Sequence, residues 1–147
     1  MPLSKPLAFG LAGLLLASAP AYAAETKAAG QNNTIAIELN NASQQEDVCR
    51  LSFLVRNGFD KTLKDIGIEI VLLSQGGLAQ DFMMLRTGEL SAGKRRVRQF
   101  DLPDVACADL GEILINDVSD CQGDGLSAPF CLAALRPSSR ISVKLGL

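Results

Sequence analysis

The sequence predicts an all-β fold, an immunoglobulin-like antiparallel two-sheet sandwich of about seven strands held by two disulfides. Three observations predict it. Short segments of alternating polarity recur along the chain, turn residues punctuate them at intervals of roughly 8 to 12 positions, and four cysteines stand at Cys49, Cys107, Cys121 and Cys131.

The strands follow a leader. Residues 1 to 23 carry Lys5, an apolar run from Leu7 to Leu16, and the small residues Ala21 and Ala23 ahead of Ala24, the pattern of a secretory signal peptide cleaved after Ala23. The run is about ten to thirteen apolar residues long against the roughly 20 that span a bilayer, so an integral membrane protein is not expected. No twin arginine precedes the run, which points to general secretion, and no cysteine follows it, which argues against a lipid-modified N-terminus. The expected location is the periplasm. About 124 residues remain, enough for one domain with one core.

Residues 24 to 33 are small and polar without periodicity and read as a flexible start to a domain at 34 to 147. The first strand, 35 to 39, sets Ile35, Ile37 and Leu39 against Ala36 and Glu38, and the following NASQQED reads as a polar turn. The second, 48 to 56, is the clearest: Cys49, Leu51, Phe53 and Val55 face one way, and Arg50, Ser52, Leu54 and Arg56 mostly face water. Asn57 and Gly58 open a loop. In the third, 66 to 73, Ile66, Ile68, Ile70 and Leu72 share a face, and the β-branched residues favour strand over helix. SQGG makes the next turn.

The fourth segment, 79 to 86, would also suit one or two helical turns, but its short length and flanking glycines favour strand. Phe82 and the run Met83 to Leu85 are expected in the core rather than in a soft binding groove or a copper site. The fifth, 94 to 101, has no clean apolar face, as in an edge strand whose charges discourage pairing with another molecule. Pro103 closes it. The sixth, 112 to 118, places Ile113 and Ile115 together, and the seventh, 140 to 145, aligns Ile141, Val143 and Leu145.

An even cysteine count in an exported small chain reads as two disulfides. With no histidine and cysteine spacings of 58, 14 and 10, neither a zinc site nor a dithiol redox pair is expected. Four cysteines allow three pairings. On an immunoglobulin-like path the start of the second strand and the connection between the fifth and sixth lie at one end of the sandwich, which favours Cys49 with Cys107 and leaves Cys121 with Cys131.

The stretches CRLSFLVRN, IGIEIVLLSQGG, LSAGKRRVRQFDLP and LGEILINDVSDC resemble an uncharacterised family of exported alphaproteobacterial proteins, and the first half is similar to small bacterial domains with an Asn after the second strand. The resemblance implies an immunoglobulin-like periplasmic domain. It brings no catalytic residues with it.

Removing Lys5 with the leader leaves 13 basic against 16 acidic residues, a balance that offers no pull toward nucleic acid. The absence of histidine removes the usual Ser-His-Asp and Cys-His arrangements, and the pairs Asp101 with Asp104 and Asp109 with Glu112 have no evident cleft to face across. The reading is of a non-enzymatic chain without cofactors. In DVSDCQGDGLSAPFC, a calcium loop begun at Asp120 finds Gln122, Asp124 and Gly125 in place but Cys131 where the bidentate Glu belongs. Asp117, Asp120 and Asp124 remain a weak candidate for a looser metal site, and turn residues in a disulfide-stapled loop are the preferred account. Lys94, Arg95, Arg96 and Arg98 are the candidate partner-binding residues, for another protein of the envelope met through a sheet edge or the surface between the fourth and fifth strands, with a metal or ligand module at 117 to 131 or a purely structural subunit of an envelope complex as the alternatives.

Overall fold

The structure, a computed structural model, describes residues 32–147. The expected leader, its cleavage point and most of the expected flexible start lie outside the described residues. The elements run β1 (Ile35–Gln45), β2 (Val48–Asn57), β3 (Asp65–Ser74), β4 (Ala79–Arg86), β5 (Arg95–Pro103), β6 (Leu110–Gln122), α1 (Ala128–Ala134), β7 (Leu135–Ser139) and β8 (Lys144–Gly146), with a 3-10 turn at Cys107–Asp109. They form two 4-stranded sheets, in the orders β5-β2-β1-β7 and β4-β3-β6-β8. The all-β two-sheet sandwich is therefore as the sequence predicts.

Alternation decides which faces meet. Ile35, Ile37 and Leu39 of β1 and Leu51, Phe53 and Val55 of β2 are buried against Ile66, Ile68, Ile70 and Leu72 of β3 and Ile113 and Ile115 of β6. Burial of such side chains stabilises the fold by about 1.5–3 kcal/mol each. Phe53 and Phe100 meet edge to face with ring centroids 5.9 Å apart.

The sheets are mixed rather than wholly antiparallel. β7 runs parallel to β1, and β8 runs parallel to β6. The cause is that the end of the chain serves both sheets: Leu135–Ser139 pairs with β1, and Lys144–Gly146 pairs with β6. The single strand expected at 140 to 145 is thus replaced by two, although Val143 and Leu145 are buried as their spacing implies. Pro137 has no N–H to donate and is tolerated because β7 is an edge.

Two other boundaries differ. β1 does not stop at Leu39 but continues past a register shift between Leu39 and Asn41 to Gln45, opposite Val48. The turn is shorter than NASQQED, with Glu46 in the left-handed region at φ 52. The connection from β6 also holds α1, started by Ser127 with Pro in its first turn, and it buries Cys131 and Ala134.

Asn57 organises the loops at one end of the sandwich. It is fully buried, and its Nδ2 donates to the carbonyl oxygens of Lys61 at 2.8 Å and Leu90 at 2.9 Å, while its Oδ1 accepts from the Phe59 N–H at 3.0 Å. The Leu90 carbonyl is shared with the Leu63 N–H of a short bridge, and the bonds to Lys61 and Phe59 pair loop backbone that lies outside the strands.

Candidate functional site

The cysteines pair as Cys49–Cys107 and Cys121–Cys131. The first ties the start of β2 to the turn before β6, and the second ties the end of β6 to α1. The three aspartates near the second bridge are put to separate uses. Asp117 Oδ1 accepts from the Val118 N–H at 2.7 Å, Asp120 Oδ2 accepts from Arg86 Nη2 at 2.8 Å, and the backbone carbonyl of Asp124 accepts from Lys61 Nζ at 3.0 Å. Among the described residues no group of three or more His, Cys, Asp or Glu could hold a metal ion.

Arg86 instead holds two carboxylates, Asp65 through Nε at 2.8 Å and Asp120 through Nη2. Gly67 makes room for this cluster, because a Cβ there would lie 2.6 Å from Ser119 Oγ and 2.9 Å from Arg86 Nη1. Hydrogen bonds from Arg86 and then Gln122 hold the Asp120 carboxyl below its ordinary range. Asp101, half of one carboxylate pair noted in the sequence, is taken by Arg50 at 2.6 and 2.7 Å, and these bonds lower its pKa as well.

The basic run lies on β5, which is an edge strand as expected. Its members do different things. Arg95 and Val97 lie opposite Arg56 and Leu54, whose parity is the outward one of β2, whereas Arg96 and Arg98 lie opposite the buried Val55 and Phe53. Arg96 is exposed at the rim, and Arg98 turns into the gap between the sheets to donate from Nε to the Thr87 carbonyl. Lys94 precedes the strand, its carbonyl accepting from the Asn57 N–H at 2.9 Å. The run is therefore divided between an outer face, a rim and a structural tie.

The apolar surface is elsewhere. Of the β4 residues expected in the core, Leu85 is buried and Met83 packs against the core from a partly buried position, but Phe82 is 62% and Met84 41% exposed. The reason is register: Met83 and Leu85 oppose the core residues Ile70 and Ile68, while Phe82 and Met84 oppose Val71 and Glu69 on the outer side of β3. Leu78, in the turn before β4, is 72% exposed. Phe82 and Met84 thus form an apolar strip on the outer side of the edge of sheet β4-β3-β6-β8, continued inward by Val71 and the half-buried Leu114, while the exposed Leu78 lies opposite Ser74 on the other parity. Sequence reasoning missed this strip because hydrophobicity on an edge strand does not tell which side has a partner layer.

A cleft of about 450 Å³ opens at the end of the sandwich beside α1, lined by Phe59, Phe130, Lys61 and Arg136 among others. The two rings lie 5.6 Å apart, and Lys61 is already turned to Asp124.

No family model matches the chain, and no curated protein matches it in sequence. The solved structure of IrmA from Escherichia coli is similar in fold, with a TM-score of 0.59 at 15% identity over 71% of this chain and 90% of that one. At that identity the likeness concerns the fold alone. Two disulfides and the absence, among the described residues, of a helix long and apolar enough to cross a membrane fit an exported chain.

Proposed function

We propose that the chain is a non-enzymatic interaction domain of the periplasm, a member of the exported family it resembles, which docks on another protein of the envelope. The observation that carries this reading is the exposed apolar strip of Phe82 and Met84 on the outer side of β4. Large side chains on an edge strand lose nothing by being polar, and an exposed apolar strip rimmed by charge marks a contact surface. The contact we assign is the outer face of β4; Arg95 lies on the outer face of the other sheet, and Arg96 on its rim. Arg98 holds the two sheet edges in place.

Strand addition at these edges is a poorer account. Asp81 on β4 takes the inward parity opposite Leu72, and Arg96 does the same on β5 opposite Val55. Inward charges at an edge are a recognised guard against pairing. The face therefore carries the docking.

Affinity capture of the tagged protein from its own envelope extract tests this, with Phe82→Asp/Met84→Asp as the comparison. A partner retained by the natural chain and lost by the double variant, whose circular dichroism and melting are unchanged, supports the reading. A partner retained equally by both removes the β4 face from it.

A further inference from the structure

Asn57 and Gly58 are each required by the fold for a separate reason, and together they make a chemically fragile pair. Asn57 is needed for its carboxamide: Nδ2 donates to the Lys61, Leu90 and Ser91 carbonyls, and Oδ1 accepts from the Phe59 N–H. Gly58 is needed for its missing side chain. A Cβ there would stand 2.5 Å from the Thr34 carbonyl oxygen and 2.5 Å from Asn32 Oδ1, where the chain entering β1 passes beside it. No residue but glycine admits that close approach.

Asn followed by Gly is the dipeptide in which a side-chain amide is lost most readily, because nothing shields the glycine nitrogen from the carboxamide before it. Asparagine is accordingly a thermolabile residue. In the folded chain both reacting groups are held. The Gly58 N–H donates to the Thr34 carbonyl at 2.8 Å, the carboxamide is engaged at both of its polar atoms, and Asn57 is fully buried. Water has no access to take the nitrogen's proton, and the nitrogen is held away from Cγ as long as Asn57 stays opposite Ile35 at the end of the β1–β2 ladder. All of these restraints are released together when that end opens.

We propose that Asn57 is a concealed deamidation site, shielded by the fold it organises and converted once the chain is unfolded. The Gly58 nitrogen loses its proton and attacks Asn57 Cγ, the Cγ–Nδ2 bond breaks, and Nδ2 leaves with a proton as ammonia. Water then opens the cyclic imide to leave aspartate or isoaspartate at position 57. A water enters and an ammonia departs, with nothing oxidised or reduced. Neither product rebuilds the loops. Aspartate sets a carboxylate against carbonyl oxygens that had a donor, and isoaspartate lengthens the main chain between β2 and the turn. The conversion is therefore one-way, and a chain kept unfolded loses the means to refold. This holds whatever the β4 face meets.

Ageing the purified disulfide-bonded protein tests this, folded in buffer and unfolded in guanidinium at the same mildly alkaline pH, with peptide mass spectrometry reading conversion at each asparagine. Position 57 is expected to convert at least about a hundredfold more slowly in the folded chain than in the unfolded one, because only opened molecules react. In guanidinium it is expected to convert ahead of Asn41 and Asn116, which are exposed in the fold but precede Ala42 and Asp117. The fraction that refolds on dilution should fall in step with conversion at 57. A chain held unfolded at mildly acid pH, where the nitrogen gives up its proton far less often, should refold as freshly unfolded chain does. Equal conversion at 57 in folded and unfolded chains overturns the proposal, as does conversion in guanidinium no faster than at Asn41 and Asn116, and neither reading needs refolding. Converted chains that refold and melt as the natural chain does also overturn it.

Discussion

Arg98, on the edge strand of one sheet, donates from Nε to the carbonyl oxygen of Thr87, which directly follows the edge strand of the other. One guanidinium thus ties β5 to the end of β4 across the open side of the sandwich. Thr87 is 3% exposed, so its carbonyl has little water to fall back on. Removing a charge-assisted hydrogen bond of this kind costs about 1.5–3 kcal/mol. Arg98→Ala is expected to lower unfolding stability by that amount in urea titration, whereas the exposed Arg95→Ala changes it by less than about 0.5 kcal/mol.

Asn57 presents a sharper case. Its side chain meets Lys61, Phe59, Leu90 and Ser91 backbone from a fully buried position. Asn57→Ala strands a buried donor and at least one buried acceptor, each worth about 1–3 kcal/mol, and is expected to destabilise the fold by about 3 kcal/mol. Asn57→Asp keeps the acceptor for Phe59 but sets a carboxylate against three carbonyl oxygens. It is expected to be no better, and thermal melting of the two variants checks both.

The disulfides differ in what they close. Cys49–Cys107 encloses a separation of 58 residues, and Cys121–Cys131 one of 10. On the chain-entropy account these contribute about 4 and about 3 kcal/mol. Replacing Cys49 with Cys107 by alanine is also expected to open the core, because Cys49 is fully buried. Denaturant unfolding of the two double variants should rank them in that order.

Acid should weaken the fold in a defined window. Bonds from Arg86 to Asp120, from Arg50 to Asp101, and from Asn40 and then Arg140 to Glu38 each hold a carboxyl below its ordinary value. A folded-state pKa below the unfolded one adds stability that is fully present above the unfolded value of about 4 and is lost as pH falls through the folded one. Unfolding stability is expected to be level near neutrality and to decline below about pH 4. Asp120→Asn should flatten part of that decline.

Much of this fold is legible in the sequence where alternation meets a partner layer. The parity of Leu51, Phe53 and Val55 and of Ile66, Ile68 and Ile70 corresponds directly to buried faces. It fails where the ladder is irregular. β6 extends past Val118 to Gln122 because bulges between Gly67 and Ile68 and between Glu69 and Ile70 shift the register and break the period that a sequence reader follows. β7 is hidden by Pro137 and two serines, and α1 is a single short helix whose small residues carry no stripe. At the surface, spacing makes the basic run of β5 visible but not its division, since Arg95 and Arg98 differ only in parity against β2. The strip on β4 is legible only once β3 is known to carry it on the side away from the core.

The most direct test of the account is site-specific photocrosslinking in living cells, with a photoreactive residue in place of Phe82 and, as a control, in place of the exposed Gln45 at the far end of β1. The account predicts covalent adducts from position 82 and none from position 45, with mass spectrometry identifying each adduct as an envelope protein or a second copy of the chain. Adducts that form equally from both positions, or from neither, would contradict the claim that the β4 face is a contact surface.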